Sequence, residues 1–214
     1  MKRIVALSLG LALLAGGPLH AERAFDLVFR SGTLDGLPEG TELRYDAAGL
    51  SDAQDQDAWR AVVLDLGPEN SARLSGQPAE EAGAARPIGS FDSRIGNPVA
   101  MMFLEQTVNG VSAATGGSPF YIRNRIRDAL GGPGEVEAVT ATWQGTAVPA
   151  TEVALRPFAQ DAHRAELGGF ADLEIRVVVS EAVPGWYLSM SAEAPAVAAA
   201  EPYGISLSLA GVEP

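Results

Sequence analysis

The sequence predicts an α+β fold: a curved, mainly antiparallel sheet packed on a central helical hairpin, in the order strands, two helices, strands. Two observations carry this. Alternation of apolar and polar residues, the mark of half-buried strands, recurs on both sides of the chain's centre. Between them, residues 97–132 carry the start and stop signals of two consecutive helices. Segregating helices from strands in this way is characteristic of α+β rather than alternating α/β domains.

The chain opens on Lys2 and Arg3, followed by a charge-free, mostly apolar run over residues 4–15. That is the form of a secretory signal peptide, and Leu19-His20-Ala21 supplies a small-residue cleavage site. The run is about 12 residues where a membrane-spanning helix needs roughly 20. We therefore expect residues 1–21 to be a cleaved signal and residues 22–214 to form one domain, in the periplasm or outside a bacterial cell. No later stretch is long and apolar enough to predict a membrane span.

Phe25, Leu27 and Phe29 share one face while Asp26 and Arg30 share the other, which predicts a first strand, and Leu37-Pro38-Glu39-Gly40 predicts a turn into a second through Leu43 and Tyr45. Residues 61–66 form a short apolar run ended by Gly67-Pro68, and residues 72–74 can pair back across that turn, which completes a meander. Residues 76–96 turn to Gly, Pro, Ala and acids. They read as a long surface loop, with room for one short strand that the pattern does not resolve.

Asn97 and Pro98 start the first helix and Gly116-Gly117 stops it; Ser118 and Pro119 start the second and Gly131-Gly132-Pro133 stops it. In the first, Met101, Leu104, Val108 and Val111 make the inward stripe, widened by Val99, Met102 and Phe103. Gly110 in its interior costs roughly 1 kcal/mol relative to Ala and points to close packing or an early break. In the second, Ile122, Ile126, Ala129 and Leu130 face inward. Strands resume over residues 136–143, 153–158, 173–180, 186–192 and 205–210, with Pro184-Gly185 as a hairpin turn.

Composition excludes more chemistry than it implies. The 214 residues include no cysteine, so there is no thiol nucleophile, Cys-ligated zinc or iron–sulfur cluster. Lys2 is the only lysine, which removes Schiff-base chemistry and a Walker A loop from the predicted mature chain. Without Lys2 and Arg3, the 15 basic residues fall to 13 against 27 acids, a charge of −14. A surface this acidic repels nucleic acid. We expect no cofactor and no metal.

Four constellations remain. Arg123 and Arg127 share a helical face and, with Tyr121, could clamp a carboxylate or phosphate, although arginines late in a helix more commonly complement its dipole. Asp161, His163 and Glu166 include the only histidine after residue 20, but the chain has no G-x-S-x-G elbow and a solvated loop fits better than a catalytic triad. Asp52, Asp55 and Asp57 lack the glycine and closing glutamate of a calcium loop. Trp143, Trp186, Tyr187, Phe158 and Phe170 could line an apolar cavity together with Met102, while ordinary core packing uses the same residue types.

The stretches LPEGTELRYD (37–46), GGSPFYIRNRIRDAL (116–130) and DLEIRVVVSEAVPGWY (172–187) resemble a family of secreted proteobacterial proteins with no assigned activity. The predicted architecture, a sheet around helices, is also similar to that of periplasmic lipoprotein carriers, which implies space for acyl chains. The leading expectation is a non-enzymatic periplasmic protein that binds an apolar small molecule, a lipid or an envelope protein, with Arg123, Arg127, Tyr121, Trp143, Trp186 and Met102 as candidate contacts. The alternatives are an interaction module with a filled core, using residues 76–96 and 193–204, and a serine-type hydrolase built on His163.

Overall fold

The computed structural model describes residues 24–51, 58–80, 83–132, 134–196 and 201–213. The expected signal peptide and the Asp52, Asp55 and Asp57 cluster lie outside these residues.

Among the described residues nine antiparallel strands form one sheet: β1 (Glu42–Ala48), β2 (Trp59–Leu66), β3 (Ser71–Pro78), β4 (Arg86–Asp92), β5 (Glu135–Trp143), β6 (Thr146–Leu155), β7 (Glu174–Val179), β8 (Tyr187–Ala194) and β9 (Tyr203–Glu213). Their spatial order is β4-β3-β2-β1-β9-β8-β7-β6-β5. Two meanders, β1 to β4 and β5 to β9, are thus fused where the first strand pairs with the last. The seam runs from Glu42 opposite Glu213 to Ala48 opposite Ser206, with a register shift at Arg44/Tyr45. Among the described residues three α-helices accompany the sheet, α1 (Ala24–Val28), α2 (Val99–Thr115) and α3 (Pro119–Gly131), with two short 3-10 turns at Arg164–Glu166 and Gly168–Asp172. The architecture is α+β, as expected.

One face of the sheet is apolar because period-two alternation is kept through the central strands. Leu43 and Tyr45 of β1, Ile175, Val177 and Val179 of β7 and Leu207 of β9 are buried, and they share a single cluster with Val99, Phe103, Val108 and Val111 of α2 and Ile122, Ile126 and Leu130 of α3. Helix α2 touches β8 and α3 touches β6.

The punctuation of α2 acts as the sequence predicts, whereas Ser118 makes no side-chain cap bond to α3 and Gly131 is that helix's last residue. The Val99 N–H donates to Asn97 Oδ1, and Gly116 takes a left-handed conformation (φ 69°) that returns its N–H to the Ser112 carbonyl. Gly110 reflects close packing and not a break, since a Cβ there would lie 2.6 Å from the Tyr203 hydroxyl.

Four expectations are corrected. Residues 24–28 are helical, not a strand: Ala24, Leu27 and Val28 are buried at i, i+3 and i+4, whereas Phe25 is 48% exposed. Met101 lies off the inward stripe at 47% exposure, because the buried face runs through Val99, Ala100, Phe103, Leu104, Thr107, Val108 and Val111. Residues 76–96 are not one loop, since β3 reaches Pro78 and β4 pairs with it from Ser71 opposite Asp92 to Gly76 opposite Arg86. Strand β6 begins at Thr146, not at 153, forming a continuous ribbon with β5.

Candidate functional site

Two of the polar clusters that join distant parts of the chain include residues singled out from sequence. The first surrounds the turn between β7 and β8. Trp186 adopts φ 78°, a conformation rare for a bulky side chain. Its indole N–H donates to the Leu27 carbonyl at 2.8 Å, the Arg30 guanidinium sits 4.4 Å from its ring centroid, and Arg30 also pairs with Glu181 at 3.0 Å. Next to it the Tyr187 hydroxyl donates to the Val28 carbonyl at 2.6 Å.

Asn97 completes this cluster. Its Nδ2 donates to the Tyr45 hydroxyl and to the Gly185 carbonyl, both at 2.9 Å, while its own backbone N–H donates to Thr33 Oγ1 at 2.9 Å. With Oδ1 accepting from Val99, both donors and the acceptor oxygen of the buried amide are engaged. Burial pushes the Tyr45 hydroxyl pKa well up, against the opposing Asn97 hydrogen bond, so the phenol stays neutral.

The second cluster lies where α3 meets the segment after β6. The Tyr121 hydroxyl is 2.6 Å from both Asp161 carboxylate oxygens, the His163 backbone N–H donates to Asp161 Oδ1 at 2.7 Å, and Arg125 Nε stands 3.9 Å from Oδ2. The Asp161 side chain is fully buried. Burial alone would raise its pKa, but these partners together hold it below the ordinary value. The His163 ring packs edge-on to Tyr121, with Nδ1 3.4 Å from Glu166 Oε1. Beside them, Thr115, Gly116, Gly117, Ser118 and Leu167 complete an open cleft of about 450 Å³.

The candidate contacts do not converge. Arg123 is held by Glu105 through two hydrogen bonds of 2.8 and 2.7 Å, on the outside of the helix pair. Arg127 is exposed on α3. Tyr121 faces Asp161. Met102 and Trp186 are each 7% exposed and belong to the common core. Trp143 is half-buried at the tip of the β5–β6 ribbon, paired with Thr146. The arginine that joins Tyr121 is Arg125, which lies off the helical face shared by Arg123 and Arg127. Its role depends on Asp161, 36 positions on, and no local pattern signals that meeting.

His163 has no serine partner among the described residues; the hydrogen-bond partners of Asp161 are Tyr121 and the His163 backbone, not the imidazole. Among the described residues, no helix is long and apolar enough to cross a membrane, and no group of His, Cys, Asp and Glu is arranged to hold a metal ion.

No protein-family model matches the sequence, and no curated protein matches it. Among solved structures it is similar to LprF from Mycobacterium bovis, at 8% identity over 88% of this chain and 92% of that one, with a TM-score of 0.32. That value is below the level that marks a shared fold.

Proposed function

We propose that this chain is a bacterial envelope protein that acts by binding, not catalysis, and that it binds through its surface because its interior is filled by its own side chains. In this reading residues 22–214 form one periplasmic domain, cleaved from a signal at Ala21, among secreted proteins of the kind that residues 37–46, 116–130 and 172–187 resemble. Its sheet curves around the α2–α3 hairpin, whose side chains occupy the space that a carrier would leave for a ligand.

The observation that supports it is the position of Met102 and Trp186. Residue type makes both candidates for a cavity lining; both are buried in one continuous cluster, and the Trp186 N–H is spent on a backbone carbonyl. Interiors packed in this way leave few voids larger than a water molecule. An apolar ligand would have to displace side chains that already make those contacts.

The cleft beside Tyr121 and Leu167 supports a second reading, in which a small apolar group docks at the surface. Titration of the purified chain with an environment-sensitive naphthalenesulfonate dye tests both. Surface binding by protein contact predicts no saturable fluorescence gain. A saturable 1:1 gain abolished by Leu167→Glu favours the cleft, and one abolished by Met102→Trp overturns the filled core.

A further inference from the structure

The two edges of the sheet are built differently. Edge strand β4 carries Pro87 and Gly89 and a register shift against β3 at Leu74/Ser75, features that blunt an edge against pairing. Edge strand β5, sequence EVEAVTATW, has none of these: its nine residues pair with β6 from Glu135 opposite Ala154 to Trp143 opposite Thr146 without a break. Residues 135–138, 140 and 142 are exposed. We propose that β5 is a homodimerisation edge, pairing antiparallel with β5 of a second copy. This deepens the surface-binding reading above and rests on it.

The backbone phase identifies which groups are free. Gln144 (φ 47°) and Gly145 (φ 77°) form a two-residue hairpin turn of the I′ kind. In such a turn the flanking pair, Trp143 and Thr146, is hydrogen-bonded, so alternate pairs back along the ribbon are bonded as well. Glu135, Glu137, Val139, Ala141 and Trp143 therefore turn their N–H and C=O groups toward β6. Val136, Ala138, Thr140 and Thr142 turn theirs outward. Pro149 agrees with this phase: it sits opposite Thr140, a position where β6 owes β5 no N–H.

A second copy satisfies those outward groups. A two-fold axis through Val139, perpendicular to the sheet, pairs Ala138 with Thr140 of the other copy and Val136 with Thr142, each pair occurring twice. These are the residues with outward backbone groups, and they give about eight N–H···O=C bonds. The same register resolves the charge. Both acids of β5 lie at its start, so Glu137 faces Ala141 and Glu135 faces Trp143, and no carboxylate faces another. The half-buried side chains Val139, Ala141, Trp143 and Val148 of one ribbon face then continue into the same face of the other copy.

Sedimentation velocity of the purified chain at about 10–100 μM tests the proposal, run beside Thr140→Pro and Ala141→Arg. Thr140→Pro removes an outward N–H and no bond to β6, and Ala141→Arg places a cation opposite Glu137 of the other copy. The expected result is a wild-type dimer, a dissociation constant raised at least about tenfold by Thr140→Pro, and a tighter dimer for Ala141→Arg. Far-UV circular dichroism and the urea midpoint establish that Thr140→Pro is folded; should it unfold, Thr140→Lys, which keeps the N–H and adds a repelling side chain at the edge, is read in its place. A wild-type monomer, or a dimer unaffected by the edge variants, overturns the proposal. A monomer free of extractable apolar molecules leaves surface binding standing, whereas a monomer carrying one overturns both.

Discussion

Trp186 donates its indole N–H to the carbonyl of Leu27, 159 positions away, and so ties the β7–β8 turn to the end of α1. The last carbonyls of a helix have no partner within it, and those of a five-residue helix in a buried setting need one from elsewhere. Trp186 and Tyr187 supply it for Leu27 and Val28. Trp186→Phe keeps most of the apolar volume but orphans the Leu27 carbonyl, so it is expected to lower stability by about 1–3 kcal/mol. Urea unfolding measures the loss, and hydrogen exchange should quicken at residues 27–29 before the central strands are affected.

Asn97 is the junction of four segments, and its replacement should be among the more damaging polar substitutions. Asn97→Ala strips the Tyr45 hydroxyl and the Gly185 carbonyl of a donor in a buried site and removes the acceptor for the Val99 N–H. The expected loss is about 2–4 kcal/mol. Asn97→Asp retains the Val99 bond but sets a carboxylate against the Gly185 carbonyl, and it should fare no better. Equal urea midpoints for wild type and Asn97→Ala would refute the junction.

Gly110 and Tyr203 form a coupled pair. Alanine usually stabilises a helix interior by about 1 kcal/mol over glycine, yet a Cβ at 110 would press on the Tyr203 ring and hydroxyl. Gly110→Ala is therefore expected to destabilise the chain by about 1–2 kcal/mol. The Tyr203 hydroxyl is buried without a hydrogen-bond partner. Tyr203→Phe should be neutral or stabilising, and a double-mutant cycle should show Gly110→Ala costing less when combined with Tyr203→Phe than alone.

Acid sensitivity is expected to pass through Asp161. A carboxyl whose pKa is lower in the folded state stabilises the fold above its unfolded value, about 3.9, and that contribution disappears as the pH falls through the folded value. Tyr121→Phe removes the strongest of the partners that oppose desolvation, so the Asp161 pKa should rise and acid unfolding should begin at higher pH. Circular dichroism from pH 7 to about pH 2 checks this; an unchanged acid midpoint would contradict it.

The parts of the fold that were legible in the sequence are those set by near neighbours. Asn97-Pro98 and Gly116 specify the start and end of α2 through local backbone requirements, and the alternation through Ile175, Val177 and Val179 specifies β7 within six residues. Residues 24–29 mislead because both periods fit them: Phe25, Leu27 and Phe29 at two, Ala24, Leu27 and Val28 at 3.6. Packing against α3, β6 and β7 decides between them. Strand β4 escapes notice because an edge strand with glycine and proline buries no alternating face. Tyr121 was legible as a polar contact, but Arg125 and Asp161 were not legible as its partners, since only the tertiary fold brings α3 to residue 161.

An interior filled by the protein's own side chains is tested most directly by native mass spectrometry of the chain purified from the periplasm of an expressing bacterium, followed by organic extraction. The predicted spectrum contains the polypeptide mass alone, as monomer or dimer, with no apolar molecule in the extract. A stoichiometric lipid that survives purification and is lost on Met102→Trp would contradict the filled interior and make the chain a carrier.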